Sequence, residues 1–336
     1  MTHKKILITG GAGFIGSHLT EELLARNMTV TVIDGLTTGA WRNLDHLSGL
    51  KGLRVIVASA SDPRLLEKEI PRHDFVYHLA SAVGVRLIVD QPVKTVKTIV
   101  RTTEAVTEVC SKYRKPMLLT STSEVYGKST SFPFREDADV VMGPTSKRRW
   151  SYACAKALNE FLVLAHSYET NLPVFIVRLF NTVGPRQTGR YGMVLPTLIE
   201  QALTGKPLTV YGSGQQSRCF CSVHDTVGAL IRFLDCPEAA GKVINIGTQE
   251  EITIVGLAQR IKQLTGSNSE IVLVPYDEAY GRGFDDMPRR VPDLTRARDL
   301  LGWSPKRCLD DIIHEIAAGL DAKQLLTEAY AGIDSY

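Results

Sequence analysis

Tyr152 and Lys156 are the pair in this chain whose types and spacing most directly suggest chemistry. They lie four apart in a segment, Tyr152 to Tyr168, that reads as helix. Residues at that spacing project from one helical face. A lysine ammonium one turn from a phenol, with a second cation nearby, favours the phenolate and draws the tyrosine pKa toward working pH, so that Tyr152 could act as a general base. The same spacing also arises by chance as a packed phenol beside a solvated amine. A second stretch, Ser121-Thr122-Ser123-Glu124-Val125-Tyr126-Gly127, precedes the pair and carries hydroxyls and one carboxylate.

The elements that must position these groups begin at the N-terminus. Lys5 to Thr9 is a continuous apolar run of the kind found in a parallel strand buried on both faces. Gly10-Gly11-Ala12-Gly13-Phe14-Ile15-Gly16 follows at once, then a helical pattern from Ser17 to Arg26, then a strand from Thr29 to Ile33 that closes on Asp34. A lone Gly-x-Gly-x-x-Gly carries little information, but between a strand and a helix, with an acid at the next strand end, it reads as a dinucleotide-binding turn. Its glycines let backbone N–H groups at the helix start approach a pyrophosphate. Asp34 suits the adenosine ribose and repels a 2′-phosphate, which favours NAD over NADP.

Strand and helix continue to alternate: Leu53 to Val57, Pro63 to Glu69, Phe75 to Leu79, a long helix from Pro92 to Tyr113, Met117 to Thr120, the Tyr152 helix, and Val174 to Leu179. Alternation of this kind predicts an α/β fold built on a Rossmann-type doubly wound parallel sheet. Leu79-Ala80-Ser81 and Thr120 to Gly127 then lie just beyond strand ends, where open α/β sheets place their ligand crevice. After Asn181 the pattern changes to shorter pieces. Strands are expected at Leu208 to Tyr211, Arg218 to Val223, Val243 to Ile246 and Ile271 to Val274. Helices are expected at Val194 to Thr204, Asp225 to Leu234, Ile254 to Thr265 and Leu309 to Leu320. The expected organisation is a nucleotide-binding domain over 1–180 and a smaller α/β C-terminal substrate-binding lobe over 181–330, with part of 217–247 returning to the main sheet.

Composition narrows the function classes. A chain of 336 residues with 44% hydrophobic and 22% charged residues is ordinary for a globular protein. A net charge of +3 singles out no partner, and the Lys147-Arg148-Arg149 run reads as a solvated loop, so nucleic acid is not expected. No apolar run reaches transmembrane length and no signal-peptide pattern opens the chain, which points to the cytoplasm. The six cysteines lack Cys-x-x-Cys pairs; Cys219 and Cys221 share one face of an expected strand, but no further ligands complete a zinc site, and reduced structural thiols are expected. His224-Asp225 could ligate a metal, although Asp225 reads more naturally as the cap of the helix that follows.

Taken in order, the motifs resemble the extended short-chain dehydrogenase/reductases of nucleotide-sugar metabolism over nearly the whole chain. They are Thr9 to Gly16, Asp34, His78-Leu79-Ala80, Ser121 to Gly127, Tyr152-x-x-x-Lys156, Arg178 to Asn181, Gly184-Pro185-Arg186, Leu208 to Gly212, Ser217-Arg218 and Arg289 to Asp293. The resemblance implies a tightly held NAD that removes hydride from C4 of a UDP-linked sugar and later returns it. By position, Tyr152 becomes the C4-hydroxyl base, Lys156 the holder of the nicotinamide ribose, and Thr122 the hydrogen-bond partner of the 4-oxygen. Asn181, Tyr211 and Arg218, with Arg289 or Arg290, become substrate-binding residues. It also implies a homodimer through a four-helix bundle of the Pro92 and Tyr152 helices, for which Val96, Val100, Val106, Leu158 and Leu162 offer apolar positions.

Glu124 bears on the fate of the ketone. The Ser123-Glu124 form, with Arg149-Trp150 before Tyr152, is similar to UDP-glucuronate decarboxylases, in which a C4 ketone makes the C5 carboxylate a β-keto acid. Against this, His78 to Val85 departs from the proline-bearing loop of UDP-xylose synthases. Gly184 to Gly192, with Arg186 and Arg190, is similar to the loop of UDP-glucuronate 4-epimerases in which an arginine meets the uronate carboxylate. Ser59 stands where many relatives place an adenine-contacting aspartate. The favoured expectation is a UDP-glucuronate decarboxylase, with the 4-epimerase as alternative and a non-catalytic nucleotide-sugar sensor as a third class.

Overall fold

Ile6, Leu7 and Ile8 are fully buried, because parallel strands flank them and apolar side chains cover both faces of the sheet. The computed structural model describes residues 3–81, 88, 90–189, 192–280 and 285–331. The strands in chain order are β1 (Lys5–Thr9), β2 (Thr29–Asp34), β3 (Leu53–Val57), β4 (Phe75–His78), β5 (Met117–Thr122), β6 (Val174–Leu179), β7 (Thr182–Val183), β8 (Leu208–Tyr211), β9 (Ser217–Cys219), β10 (Cys221–Ser222), β11 (Lys242–Ile246), β12 (Glu251–Thr253) and β13 (Ile271–Val274). The seven-stranded sheet runs β3-β2-β1-β4-β5-β6-β11 with every pair parallel. That order is Rossmann-type and doubly wound. It reverses between β1 and β4, which opens a ligand crevice at their C-terminal ends.

The expected strand at Val243 to Ile246 does return to this sheet, as β11 on the edge beside β6. The expected strand from Arg218 to Val223 is not continuous. It divides at Phe220, which is buried, so that β9 pairs with β12 while β10 pairs with β7. Cys219 and Cys221 therefore belong to different sheets and do not form the shared face that alternation suggested. Both are free thiols, pushed up to about 12 by burial.

Helices α1 (Phe14–Ala25), α2 (Pro63–Glu69), α3 (Pro92–Tyr113) and α4 (Trp150–Thr170) flank the sheet. In α2 the Asp62 carboxylate accepts from the Arg64 and Leu65 N–H groups, with Pro63 in the first turn. The remaining helices are α5 (Val194–Leu203), α6 (Val223–Arg232), α7 (Ile254–Thr265), α8 (Tyr276–Tyr280), α9 (Thr295–Leu301) and α10 (Leu309–Ala331); α6 and α9 pack into the core of the main sheet, whereas α5, α7 and α10 form a second lobe. Leu309, Ile312, Ile313 and Ile316 lie on one stripe of α10 and pack against Leu198, Ile199, Leu257 and Ile261, giving this lobe its own core. Asp225 does not cap α6. The helix begins earlier, with the Ser222 hydroxyl accepting from His224 N–H, and the Asp225 carboxylate instead accepts from the Lys306 and Arg307 N–H groups at 2.9 Å each. His224 pairs with Glu315 at 2.7 Å. Among the described residues no helix is long and apolar enough to cross a membrane.

Candidate active site

Thr122 is the last residue of β5 and pairs in register with Leu179 of β6, at the C-terminal edge of the sheet. Its hydroxyl accepts from Glu124 N–H at 3.3 Å and starts the short turn Ser123–Tyr126. α4 begins at Trp150, which puts Tyr152 in its first turn and Lys156 one turn on. The Tyr152 phenol hydrogen-bonds Thr122, and Lys156 Nζ donates to the Thr120 carbonyl at 2.9 Å. Strand end and helix start thus converge on one point.

Burial dominates the electrostatics of this pair in the protein by itself. Tyr152 is held above its ordinary pKa, chiefly by burial and then by the Glu124 carboxylate, against a smaller opposing effect of the Thr122 hydrogen bond. The Lys156 ammonium is aimed at Thr120 rather than at the phenol. Burial lowers Lys156 to about 8, partly offset by Glu160. The pair alone does not generate phenolate in this state.

Behind these residues lies a buried polar scaffold. Glu160 receives Arg178 through Nε and Nη2, at 2.8 Å for the latter, and also accepts from Ser121 Oγ. Arg178 covers the Tyr126 ring at 4.7 Å, and the Tyr126 hydroxyl donates to Asn245 at 2.7 Å. On the other side Thr9, His78, Thr103 and Asn159 form a hydrogen-bonded chain. His78 is held neutral near a pKa of about 3 by burial and by Lys156.

The glycine turn fits a dinucleotide pyrophosphate. Gly10 has φ +80°, and a Cβ there would stand 2.7 Å from Ala80 N, where β4 gives way to Leu79-Ala80-Ser81. A Cβ on Gly16 would stand 2.1 Å from the Gly10 carbonyl oxygen. α1 has no side-chain cap and no acid in its first turn, so the N–H groups at Phe14, Ile15 and Gly16 are disposed toward an anion. Gly13 sits at the N-cap in extended conformation. Asp34 is fixed beside this turn by Ala12 N–H at 2.9 Å and Leu36 N–H at 2.8 Å. Ser81 Oγ is enclosed and without a hydrogen-bond partner, consistent with a polar ligand at this crevice.

Glu124 and four other charged side chains form one group. Arg149 and Arg290 approach its Oε1 at 3.3 and 3.2 Å, and Arg149 and Arg218 each hold Asp286 at 2.9 Å. Burial alone would raise Glu124, but Arg149 and Arg290 outweigh it and keep the carboxyl below its usual range. Arg149 is only 4% exposed, so it does not belong to a solvated basic loop as the Lys147-Arg148-Arg149 run suggested. Of the two neighbouring arginines, Arg290 points into this group. Arg289 is half-exposed, held by Glu251 at 2.8 Å and stacked over Phe132. Asp286 was not singled out by sequence reasoning; its spacing of four before Arg290 was the available signal.

The remaining expected residues are dispersed. Asn181 donates to the Cys219 carbonyl at 3.1 Å, and Tyr211 ends β8 with its carbonyl accepting from Gln216. Arg186, with φ +66°, is directed toward α1 and contacts Glu21 at 2.5 Å, His46 at 3.2 Å and Ser17 at 3.4 Å. Arg190 lies outside the described residues, as do Ala82 to Val85 of the loop after β4.

The pattern of the GDP-mannose 4,6-dehydratase family matches residues 7–316. The chain belongs to this family. It is 43% identical over 303 residues to the UDP-N-acetyl-alpha-D-glucosaminuronate decarboxylase of Bacillus cytotoxicus, covering 90% of this chain and 93% of that protein. It is 38% identical over 302 residues to UDP-glucuronic acid decarboxylase 1 of Xenopus tropicalis, covering 90% of this chain and 68% of that protein. The fold superposes on UDP-glucuronic acid 4-epimerase from Bacillus cereus, solved with UDP-glucuronic acid and NAD, with a TM-score of 0.85 at 30% identity, covering 96% of this chain and 99% of that one. This member of the dehydratase family is an enzyme of the decarboxylase and epimerase kind.

Proposed function

We propose that this enzyme is an NAD-dependent UDP-glucuronate decarboxylase. The observation that carries the reading is Glu124 clamped by Arg149 and Arg290 beside Thr122 and Tyr152, which puts a carboxylate and buried cations next to the C4 oxidation groups. NAD, when bound, supplies the hydride acceptor for C4. Tyr152 takes the C4-hydroxyl proton, Thr122 and Ser123 line the same turn, and Lys156 holds the nicotinamide ribose. Once C4 is a ketone, the C5 carboxylate is a β-keto acid. Carbon dioxide departs, its bonding electrons enter the enolate, C5 takes up a proton in place of the carboxylate, and return of the hydride with a proton to the C4 ketone would give UDP-xylose. The arginines hold the substrate's anionic groups, for which guanidinium geometry is suited.

Incubation with UDP-glucuronate carrying a labelled carboxyl is expected to release labelled carbon dioxide and give UDP-xylose or its 4-keto precursor by NMR. Conversion to UDP-galacturonate with the label retained would establish the epimerase instead. UDP-N-acetylglucosaminuronate belongs in the same assay, because the 43%-identical relative is named for that substrate. The specificity reading is decided by which of the two UDP-uronates has the higher kcat/KM.

We further infer a homodimer through α3 and α4, although not through every residue the apolar pattern offered. Val106 is fully buried in the core under the sheet and is unavailable. The outward stripe of α4 is Leu158 at 51% exposure, Phe161 at 67% and Tyr168 at 90%, a spacing that fits helix pairing. Phe161→Glu is expected to convert the dimer to a monomer by light scattering at micromolar concentration, with the circular dichroism spectrum unchanged. A wild-type monomer mass would reject the interface. Six free cysteines fit the reducing cytoplasm.

A further inference from the structure

The five charged side chains of the Glu124 group do not balance. Arg149, Arg218 and Arg290 oppose Glu124 and Asp286, and all three arginine side chains are less than one-tenth exposed. Asp286 has the most donors. Its Oδ1 accepts from Arg149 at 2.9 Å and from Met287 N–H at 2.8 Å, and its Oδ2 accepts from Arg218 at 2.9 Å and from the Tyr276 hydroxyl at 3.1 Å. Arg290 stands off at 3.9 Å, and its Nε is enclosed without a hydrogen-bond partner. One carboxylate spanning two guanidiniums and a phenol is the arrangement a phosphate or a ligand carboxylate would adopt.

We propose that Asp286 is a built-in surrogate for the substrate's anionic group, occupying the arginine positions that an incoming diphosphate or carboxylate takes and yielding them on binding. This rests on the nucleotide-sugar reading for the identity of the ligand. Three buried arginines facing Glu124 alone would carry a large desolvation penalty, and Asp286 reduces it in the free protein. Arg218 shows the residual imbalance, being lowered to about 10 by burial and then by Arg290. A ligand anion therefore exchanges with an internal carboxylate instead of adding to bare cations. Affinity falls by the difference, and an uncharged ligand gains nothing from the arginines. The surrogate thus selects for anions while limiting how tightly they are held.

Asp286→Asn keeps the side-chain shape and removes its charge. Titration of the purified full chain with UDP, and in parallel with inorganic pyrophosphate, is expected to show about tenfold tighter binding in the variant, equivalent to roughly 1.4 kcal/mol. The salt dependence should be steeper. The free variant should melt lower than wild type yet gain more in Tm from UDP. Binding that is unchanged or weaker for both probes overturns the proposal and makes Asp286 a positioning residue that orients Arg149 and Arg218. Tighter pyrophosphate with no UDP binding upholds the surrogate and removes the UDP-sugar reading. If Asp286→Asn does not fold, Tyr276→Phe decides: loosening Asp286 without changing any charge must tighten both probes by a smaller factor, and no gain overturns the proposal.

Discussion

Tyr152→Phe will lower turnover by about 10²- to 10⁴-fold while leaving NAD affinity within a factor of about two, because the substitution removes a proton acceptor and little else. The ring packs against Ile88, Ile99 and Ala155, contacts that phenylalanine keeps. The lost hydroxyl is the group bonded to Thr122, at the point where β5 and α4 converge. Single-turnover formation of enzyme-bound NADH at 340 nm isolates the oxidation from the later steps, and this signal should disappear with the hydroxyl. A variant retaining more than about a tenth of wild-type oxidation would remove Tyr152 from the proton transfer. The same measurement across pH addresses the lysine. Lys156 is lowered to about 8 by burial, so the free protein loses the ammonium as pH rises through that value, and oxidation is expected to decline on the alkaline side. Since the phenol itself is raised in this state, an added positive charge is needed before it can act as a base near neutrality. The fully reduced activity of Lys156→Met would report that requirement directly.

The second large effect concerns stability. Arg178→Met will cost about 3–5 kcal/mol, because it leaves Glu160 ionised and unpaired in the interior. Both side chains of the pair are less than one-tenth exposed. Arg178 is also the group stacked on Tyr126, so its loss removes a cation–π contact next to the turn that carries Glu124. Urea denaturation should show the midpoint falling with little change in slope. The double variant Arg178→Met/Glu160→Leu should recover most of the loss, since replacing both members of a buried pair by apolar groups removes the desolvation cost as well as the attraction. Equal losses in the single and double variants would show that the network contributes through Ser121, Tyr126 and Asn245 and not through the ion pair.

Much of the fold was legible because its signals are local. The run Lys5 to Thr9 and the glycine turn are contiguous, Asp34 closes the next strand, and their spacing survives any tertiary arrangement that preserves a strand, a turn, a helix and a second strand. The four-residue step from Tyr152 to Lys156 is likewise a property of one helix. Capping was less legible. Ser222 and Asp225 are both good cap residues, and the choice went to Ser222 because Asp225 found two backbone N–H partners at Lys306 and Arg307, some eighty positions away.

The charges around Glu124 mark where sequence reading ends. Pro288 to Val291 runs between two backbone contacts, Ser217 N–H to the Pro288 carbonyl and Phe134 N–H to the Val291 carbonyl. Arg289 and Arg290 are sorted to opposite sides by the placement of that segment, with one on surface Glu251 and the other in the interior on Glu124. No spacing rule within the segment distinguishes them. Arg149 likewise read as part of a solvated basic run, and only the approach of Glu124 and Asp286 from distant segments accounts for its burial. The sequence by itself determined the sheet, the dinucleotide turn and the Tyr152–Lys156 spacing, because each depends on neighbours within one or two elements. The tertiary structure alone decided which arginines enter the site, where Arg186 is directed, and the pKa directions of Tyr152 and Glu124, because burial and charge pairing depend on residues brought together from across the chain.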